Sequence, residues 1–381
     1  MRFPDLSTLK QRGTEKWSCD NPDTVPMFVA ESDFATNDEV MAAIRDAVDR
    51  EQLGYPCQGD TRLAEALSDF CASRYGWRPR AEWVFPIADV VRGLWMAIET
   101  FTRPGSAIVF ATPAYPPFFE LGTLAGRESV TVGVTVDGGM DLAAVERAFQ
   151  QGAGCFVLCN PHNPLGLAFD RETLVRLADL AAAYDARIIS DEIHAPLVFG
   201  RRHIPAASVS EAAASVTVTL MAASKAWNVA GLKCAQLIVS NERDAQVWAE
   251  RPPLYWQGFS ILGYEASVAC YRADQSFVDE QLEYVGRNIE YAVSRLRQVV
   301  PGIGVYAPEA TYLLWLDFRN TVLGEAAWEV LATEASVVCS DGRAFAGESE
   351  GAGWVRMNLA CQDSTLRLAL DRIEQVVAAR S

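Results

Sequence analysis

At 381 residues, and with roughly 100–200 residues to a domain, the chain is long enough for two or three domains with sizeable cores. Half of its residues are hydrophobic and 22% are charged, which excludes a disordered chain; no apolar run nears the ~18 residues of a membrane span, and the start Met1-Arg-Phe-Pro-Asp-Leu6 lacks the apolar stretch of a signal peptide, so a cytoplasmic location is expected. Acidic residues outnumber basic ones 49 to 33, for a formal charge of −16, and no basic run occurs, which sets nucleic-acid binding aside.

Residues 1–40 carry no strong element and are expected to pack against the C-terminal part. Residues 41–275 alternate helix-period stretches with short apolar runs. Helix 90–101 sets Val91, Leu94, Trp95, Ile98 and Phe101 near 3.6 spacing, and helix 171–184 sets Leu174, Leu177, Ala178 and Ala181 on one face. Strands are predicted at 106–111, 155–159, 187–190, 216–221 and 234–240. Their nearly continuous apolar character suits strands covered on both faces. Strands alternating with helices imply βαβ units and a doubly wound, mostly parallel α/β sheet, with ligands beyond the carboxyl ends of the strands. Residues 276–381 read as a smaller α+β domain: a long helix 276–299, strand 311–318, helix 326–334, strand 355–359 and a closing helix 366–379.

Four segments carry unusual polar residues at predicted strand ends. The first is Cys159-Asn160-Pro161-His162-Asn163-Pro164-Leu165-Gly166. Proline fixes φ and pushes its predecessor to an extended conformation, so a doubled Asn-Pro makes a rigid loop that can hold an amide at a fixed point. The second is Ser190-Asp191-Glu192-Ile193-His194. A buried acid here needs a cation or hydrogen bonds, or it neutralises. Asp191 as a helix cap and a metal site of Asp191, Glu192 and His194 are the other readings; the latter matches no familiar ligand spacing, and the chain has three His in all.

The third segment is Ala223-Ser224-Lys225, followed eight residues later by Lys233. Only four Lys occur, at 10, 16, 225 and 233, and Lys225 at a strand end is badly placed as a solubiliser. Burial lowers a lysine's pKa and makes it a nucleophile. The fourth is Trp354-Val355-Arg356-Met357. An arginine inside an apolar strand grips a carboxylate or forms a structural ion pair. Nine Cys without a CxxC pair read mostly as buried thiols. An Asn, an Asp, a Ser-Lys and an Arg in this order fit one cofactor, pyridoxal 5'-phosphate (PLP). It needs a lysine to bond, an acid at its pyridine nitrogen, a partner for its phenolic oxygen, a phosphate cradle and a carboxylate clamp.

On these segments the chain resembles the fold-type I PLP enzymes of the aminotransferase class I/II superfamily. More narrowly, it resembles their cystathionine β-lyase (C–S lyase) branch, often called MalY/PatB. Phe28-Val-Ala-Glu-Ser-Asp-Phe34, the His between the two Asn-Pro pairs, Asp191-Glu-Ile-His194, Ser224-Lys-Ala-Trp-Asn-Val-Ala-Gly-Leu232 and Ala310-Thr-Tyr-Leu-Leu-Trp-Leu-Asp-Phe318 carry that likeness. The resemblance implies a PLP-dependent transferase fold and a lyase that cleaves cystathionine, or other cysteine S-conjugates, to a thiol, pyruvate and ammonia. Methionine synthesis is the implied setting.

By the same likeness Lys225 is the lysine bonded to PLP and Asp191 the acid at the ring nitrogen. Asn163 meets the phenolic oxygen, and Tyr115 is the aromatic residue near the ring and a candidate acid. Ser224, Lys233 and the amides of Val90 and Val91 hold the phosphate. Arg356 clamps the substrate carboxylate, and Tyr55 is a tyrosine donated across a homodimer interface. Two departures stand out. Asp89 occupies a place where relatives more often have Gly or Ser, and must point away from a phosphate. Phe345-Ala-Gly-Glu348 is a loose form of the family's Phe-Gly segment. An aminotransferase would use the same cofactor residues, and a regulatory protein on this scaffold is the remaining alternative.

Overall fold

The computed structural model describes residues 1–19, 21–57 and 59–381. Its central sheet has seven strands, in the order Val84–Ile87, Ala235–Val239, Thr217–Met221, Arg187–Asp191, Cys155–Cys159, Ile108–Thr112 and Ser129–Gly133. Ala235–Val239 pairs antiparallel with both of its neighbours; the other pairings are parallel. Every residue of Cys155–Cys159, Thr217–Met221 and Ala235–Val239 is buried. Parallel strands require crossovers, and helical crossovers on both faces remove water from the strands between them.

Helix starts follow local chemistry. Asp170, Asp141 and Asn241 each accept a backbone N–H of the helix that they precede, Arg171–Ala183, Leu142–Gln150 and Glu242–Ala249. Helix Val90–Phe101 packs so closely on the sheet that a Cβ on Gly93 would lie 2.4 Å from Ile87 Cδ1. The two edge strands, Val84–Ile87 and Ser129–Gly133, do not stand out in the sequence. The first holds Pro86, tolerated at an edge, and in the second only Val132 is buried, so neither shows a long apolar run. Residues 1–40 are also less bare than expected: Asp5 caps a helix over Leu6–Gln11, and Val25–Pro26 pairs in parallel with Val337–Val338.

A second, antiparallel sheet has the order Ser340–Asp341, Trp354–Asn358, Leu313–Asp317, Gly304–Tyr306. Helices Ser276–Val299 and Asp363–Arg380 contribute to the same core as this sheet, through Ile289, Leu296, Leu366, Ile373 and others. Asn288, buried on the long helix, donates to the carbonyls of Leu359 and Cys361, both at 2.9 Å. The segment before helix Asp38–Asp49 lies on this sheet: Asn358 N donates to Met27 O, and Asp33 N to Ala360 O.

Candidate active site

The parallel strands end at Cys159, Asp191 and Met221, and the loops leaving them carry most of the chemistry. The loop after Cys159 is braced from beyond the sheet. Gly166 has φ +67°, a Cβ there would lie 2.3 Å from Pro308 Cβ, and its carbonyl accepts from Glu309 N and Ala310 N. His162, buried, contacts Pro113 O through Nε2 at 2.8 Å, tying this loop to the turn that holds Tyr115.

Asn163 is thereby held with its carbonyl oxygen on Arg356 Nη1, 3.0 Å away. Its amide nitrogen has no partner among the described residues and is free to donate into the cleft. Arg356 reaches the cleft from strand Trp354–Asn358. Its Nη2 donates to Phe28 O and Ser340 Oγ at 3.0 and 3.1 Å, its Nε is buried without a partner, and it lies 4.7 Å over the Phe345 ring. No carboxylate pairs with it among the described residues. A buried guanidinium in this state is built to receive an anion; burial alone brings its pKa down to about 10.

Asp191 is buried, with Oδ1 accepting from Ile193 N at 3.1 Å. Burial is the chief cause that pushes its pKa up to about 7, against the opposing effects of the Ile193 N–H and Lys225. Lys225 is partly buried and donates to Ala30 O at 3.2 Å. Burial first, and then the Arg356 charge, draw its pKa down to about 8. The Tyr115 phenol is pushed up, by burial and then by Asp191.

The helix start at Val90 resolves the position of Asp89. Its Oδ1 accepts from Arg92 N at 2.8 Å, and its Oδ2 meets Lys233 Nζ at 3.2 Å. Asp89 is thus occupied on both oxygens, while the amides of Val90 and Val91 take no intrachain acceptor among the described residues. Lys233 reaches this turn through Asp89 rather than standing alone beside it. Ser224 Oγ is likewise without a partner among the described residues. Tyr55 is the exception among the expected site residues: its side chain is fully exposed at 101%, apart from everything the single chain assembles.

Several contacts of this region carried no signal in the sequence. Tyr312, buried, donates to Ala30 O at 2.9 Å, the same carbonyl that receives Lys225. Phe28 and Ser340 hold Arg356. Glu192 is buried and accepts from Ser190 Oγ and Ala206 N at 2.9 Å each, with His203 Nε2 2.7 Å from its other oxygen. No motif joins Glu192 to His203 in the sequence. His194 is neutral, its pKa brought down to about 3 by burial and then by the Lys225 and Arg356 charges. The metal reading of this segment fails, because Glu192 is spent on internal bonds and no His/Cys/Asp/Glu group among the described residues could hold a metal ion.

The donor set fits PLP. A lysine amine of lowered pKa, an acid buried at a strand end, an amide free to donate, two open helix-start amides with a serine hydroxyl, and an unpaired guanidinium each match one polar group of the cofactor or its substrate.

Comparisons with known proteins agree with this geometry. A cystathionine β-lyase of Corynebacterium glutamicum is 47% identical over 377 residues, 99% of this chain and 100% of that protein. The cystathionine β-lyase PatB of Bacillus subtilis is 30% identical over 93% of each chain. A crystal structure from Corynebacterium diphtheriae, assigned as a PLP-dependent β-cystathionase, superposes with a TM-score of 0.96 at 44% identity and covers 100% of both chains. The family model for aminotransferase class I and II matches residues 25–373. With that match spanning both sheets and every strand-end loop described above, the chain belongs to the aminotransferase class I and II family.

Proposed function

We propose that this protein is a PLP-dependent carbon–sulfur β-lyase, cleaving L-cystathionine to homocysteine, pyruvate and ammonia and accepting other cysteine S-conjugates. The observation that carries the choice of reaction is the 47% identity, over nearly the whole chain, to a cystathionine β-lyase. Reaction type in this fold depends on pocket detail, because the cofactor residues themselves are shared with aminotransferases.

The chain's own residues divide the work. Residues 41–275 carry the cofactor and 276–381 supply the clamp. Arg356 takes the substrate α-carboxylate in a two-pronged hydrogen bond, its Nη1 staying on Asn163 Oδ1. Asn163 donates its amide to the cofactor's phenolic oxygen. Val90 N, Val91 N, Ser224 and Lys233 hold the phosphate, with Asp89 turned onto Arg92 N and Lys233. Lys225 would be the residue that bonds to the cofactor. When bound, PLP supplies a sink for the negative charge left at Cα. Asp191, ionised against the ring nitrogen, keeps a proton there, and a charge pair in a low-dielectric site is worth several kcal/mol, by order of magnitude.

With substrate bound, the Lys225 amine would take the Cα proton. Its lowered pKa, about 8, leaves more of its amine uncharged near neutrality than in an ordinary lysine. The Cβ–S bond then breaks with both electrons on sulfur, and Lys225 or Tyr115 returns a proton to the thiolate. Hydrolysis of the remaining three-carbon unit yields pyruvate and ammonia. We further propose a homodimer whose partner chain brings Tyr55 to the site, and a place in methionine synthesis.

The deciding assay supplies cystathionine without any keto acid and measures thiol and pyruvate. Both are expected in equal amounts. Turnover that starts only when a keto-acid acceptor is added would replace the lyase with an aminotransferase.

A further inference from the structure

We propose that His203 is a positioning residue for the cofactor ring, acting through Glu192 on Asp191 as the anchor of a buried brace over residues 203–206. This role rests on Asp191 being the acid at the ring nitrogen.

The brace consists of hydrogen bonds that converge on two strand ends. His203 Nε2 lies 2.7 Å from Glu192 Oε2, and both side chains are fully buried. A carboxylate only accepts, so that nitrogen donates. Ala206 N and Ser190 Oγ donate to Glu192 Oε1, at 2.9 Å each. Between His203 and Ala206, Ile204 O accepts from Asn160 Nδ2 at 3.2 Å. Asn160 opens the loop that carries Asn163, and its own N–H donates to Asp191 O at 2.9 Å. Pro205 stiffens the segment, with φ −61°. Residues 203–206 therefore tie the run that holds Asp191 to the loop that holds Asn163. Those are the two side chains expected at the ring nitrogen and at the phenolic oxygen.

The aim of Asp191 depends on this support. Its carboxylate has one hydrogen bond among the described residues, from Ile193 N to Oδ1 at 3.1 Å. Its direction is otherwise set by the backbone around it. Glu192 pins that backbone twice, by its N–H on Leu220 O at 2.8 Å and by its side chain on the brace. Without His203, Glu192 Oε2 becomes a bare charge in a buried place. That costs free energy until residue 192 shifts toward another donor, and Asp191 is its neighbour in the chain. A misplacement of about 1 Å at a reacting centre is worth roughly 100-fold in rate.

The test compares His203→Leu, which removes the donor, with His203→Gln, which keeps one. In the leucine variant kcat for cystathionine is expected to fall about 10–100-fold with KM within about threefold. PLP titrated into the cofactor-free protein should bind about tenfold more weakly, and the visible band, which follows protonation of the ring, should shift. Glutamine should return all of these toward wild type. Should the leucine variant not fold, Ser190→Ala, which removes another donor to Glu192, is expected to weaken PLP about three- to tenfold, and unchanged affinity there would overturn the role. So would a leucine variant that loses stability in urea while PLP affinity, band and kcat stay as they were, because the pair would then be structural alone. A glutamine variant as impaired as the leucine one would overturn it as well. An Asp191→Asn protein that keeps the wild-type band would instead remove the assignment of Asp191, and the role of His203 with it.

Discussion

Arg356 Nη1 and Asn163 Oδ1 are bonded at 3.0 Å, joining a strand of the antiparallel sheet to a loop at the edge of the parallel one. The group expected to grip the substrate carboxylate and the amide expected to meet the cofactor are therefore positioned together. Arg356→Gln should raise KM for cystathionine about 10–100-fold, the worth of a charged hydrogen bond, with a smaller change in kcat. Asn163→Ala should raise KM less and also move the visible absorption of bound PLP. If Asn163→Ala leaves that absorption untouched, the amide does not face the cofactor.

Lys225 is expected to be the point of covalent attachment. Borohydride reduction followed by peptide mapping should find PLP on the peptide containing Lys225, and Lys225→Ala should lose the visible band and about 10²–10⁴-fold or more in turnover, the range of a general base. Label on Lys233 instead would overturn the assignment.

Asp191 makes the cofactor-free protein sensitive to pH. Its folded pKa is raised, to about 7 from 3.8, so between these values the folded chain binds a proton that the unfolded chain does not. Stability present below about pH 4 is then lost as pH climbs through 7. The full cost is at most roughly 4 kcal/mol. Urea melts of cofactor-free protein across this range should show the decline, and Asp191→Asn should flatten it. PLP should stabilise the wild type more than the variant near neutrality, because only the wild type gains a counter-charge. An unchanged pH slope in the variant would place the titration elsewhere.

The N-terminal segment is locked by a buried pair. Lys16 Nζ lies 3.0 Å from Asp33 Oδ1, with side chains 0% and 1% exposed, and Trp17 Nε1 donates to the same oxygen at 2.8 Å. Lys16→Met leaves a buried carboxylate short of its cation and should cost about 3–5 kcal/mol. Adding Asp33→Asn should recover part of it. Denaturant midpoints of the single and double variants measure both, and simple additivity would rule out the coupling.

Tyr55 projects fully into solvent, next to a Leu53 that is 65% exposed. If a partner chain uses it, mixing inactive Tyr55→Ala and Lys225→Ala subunits should recover up to about a quarter of wild-type activity, the share of intact sites in a two-fold dimer. No recovery after verified subunit exchange would mean that each chain completes its own site.

The sequence alone determined the mostly parallel sheet, and the loops on which chemistry falls. Apolar runs buried on both faces read clearly at 155–159 and 187–190, and parallel connectivity forces polar residues such as Asn163, Asp191 and Lys225 to gather beyond the carboxyl ends. Where burial is partial the signal fades: Ser129–Gly133 shows one buried residue in five and did not stand out. What only the tertiary structure decided are pairings between segments far apart in the chain. Asp89 turning onto Lys233, Tyr312 and Lys225 meeting on Ala30 O, and His203 closing on Glu192 depend on packing that no local periodicity encodes. Hydrogen bonds require contact, and contact between residues 144 or 282 positions apart is set by how whole layers stack.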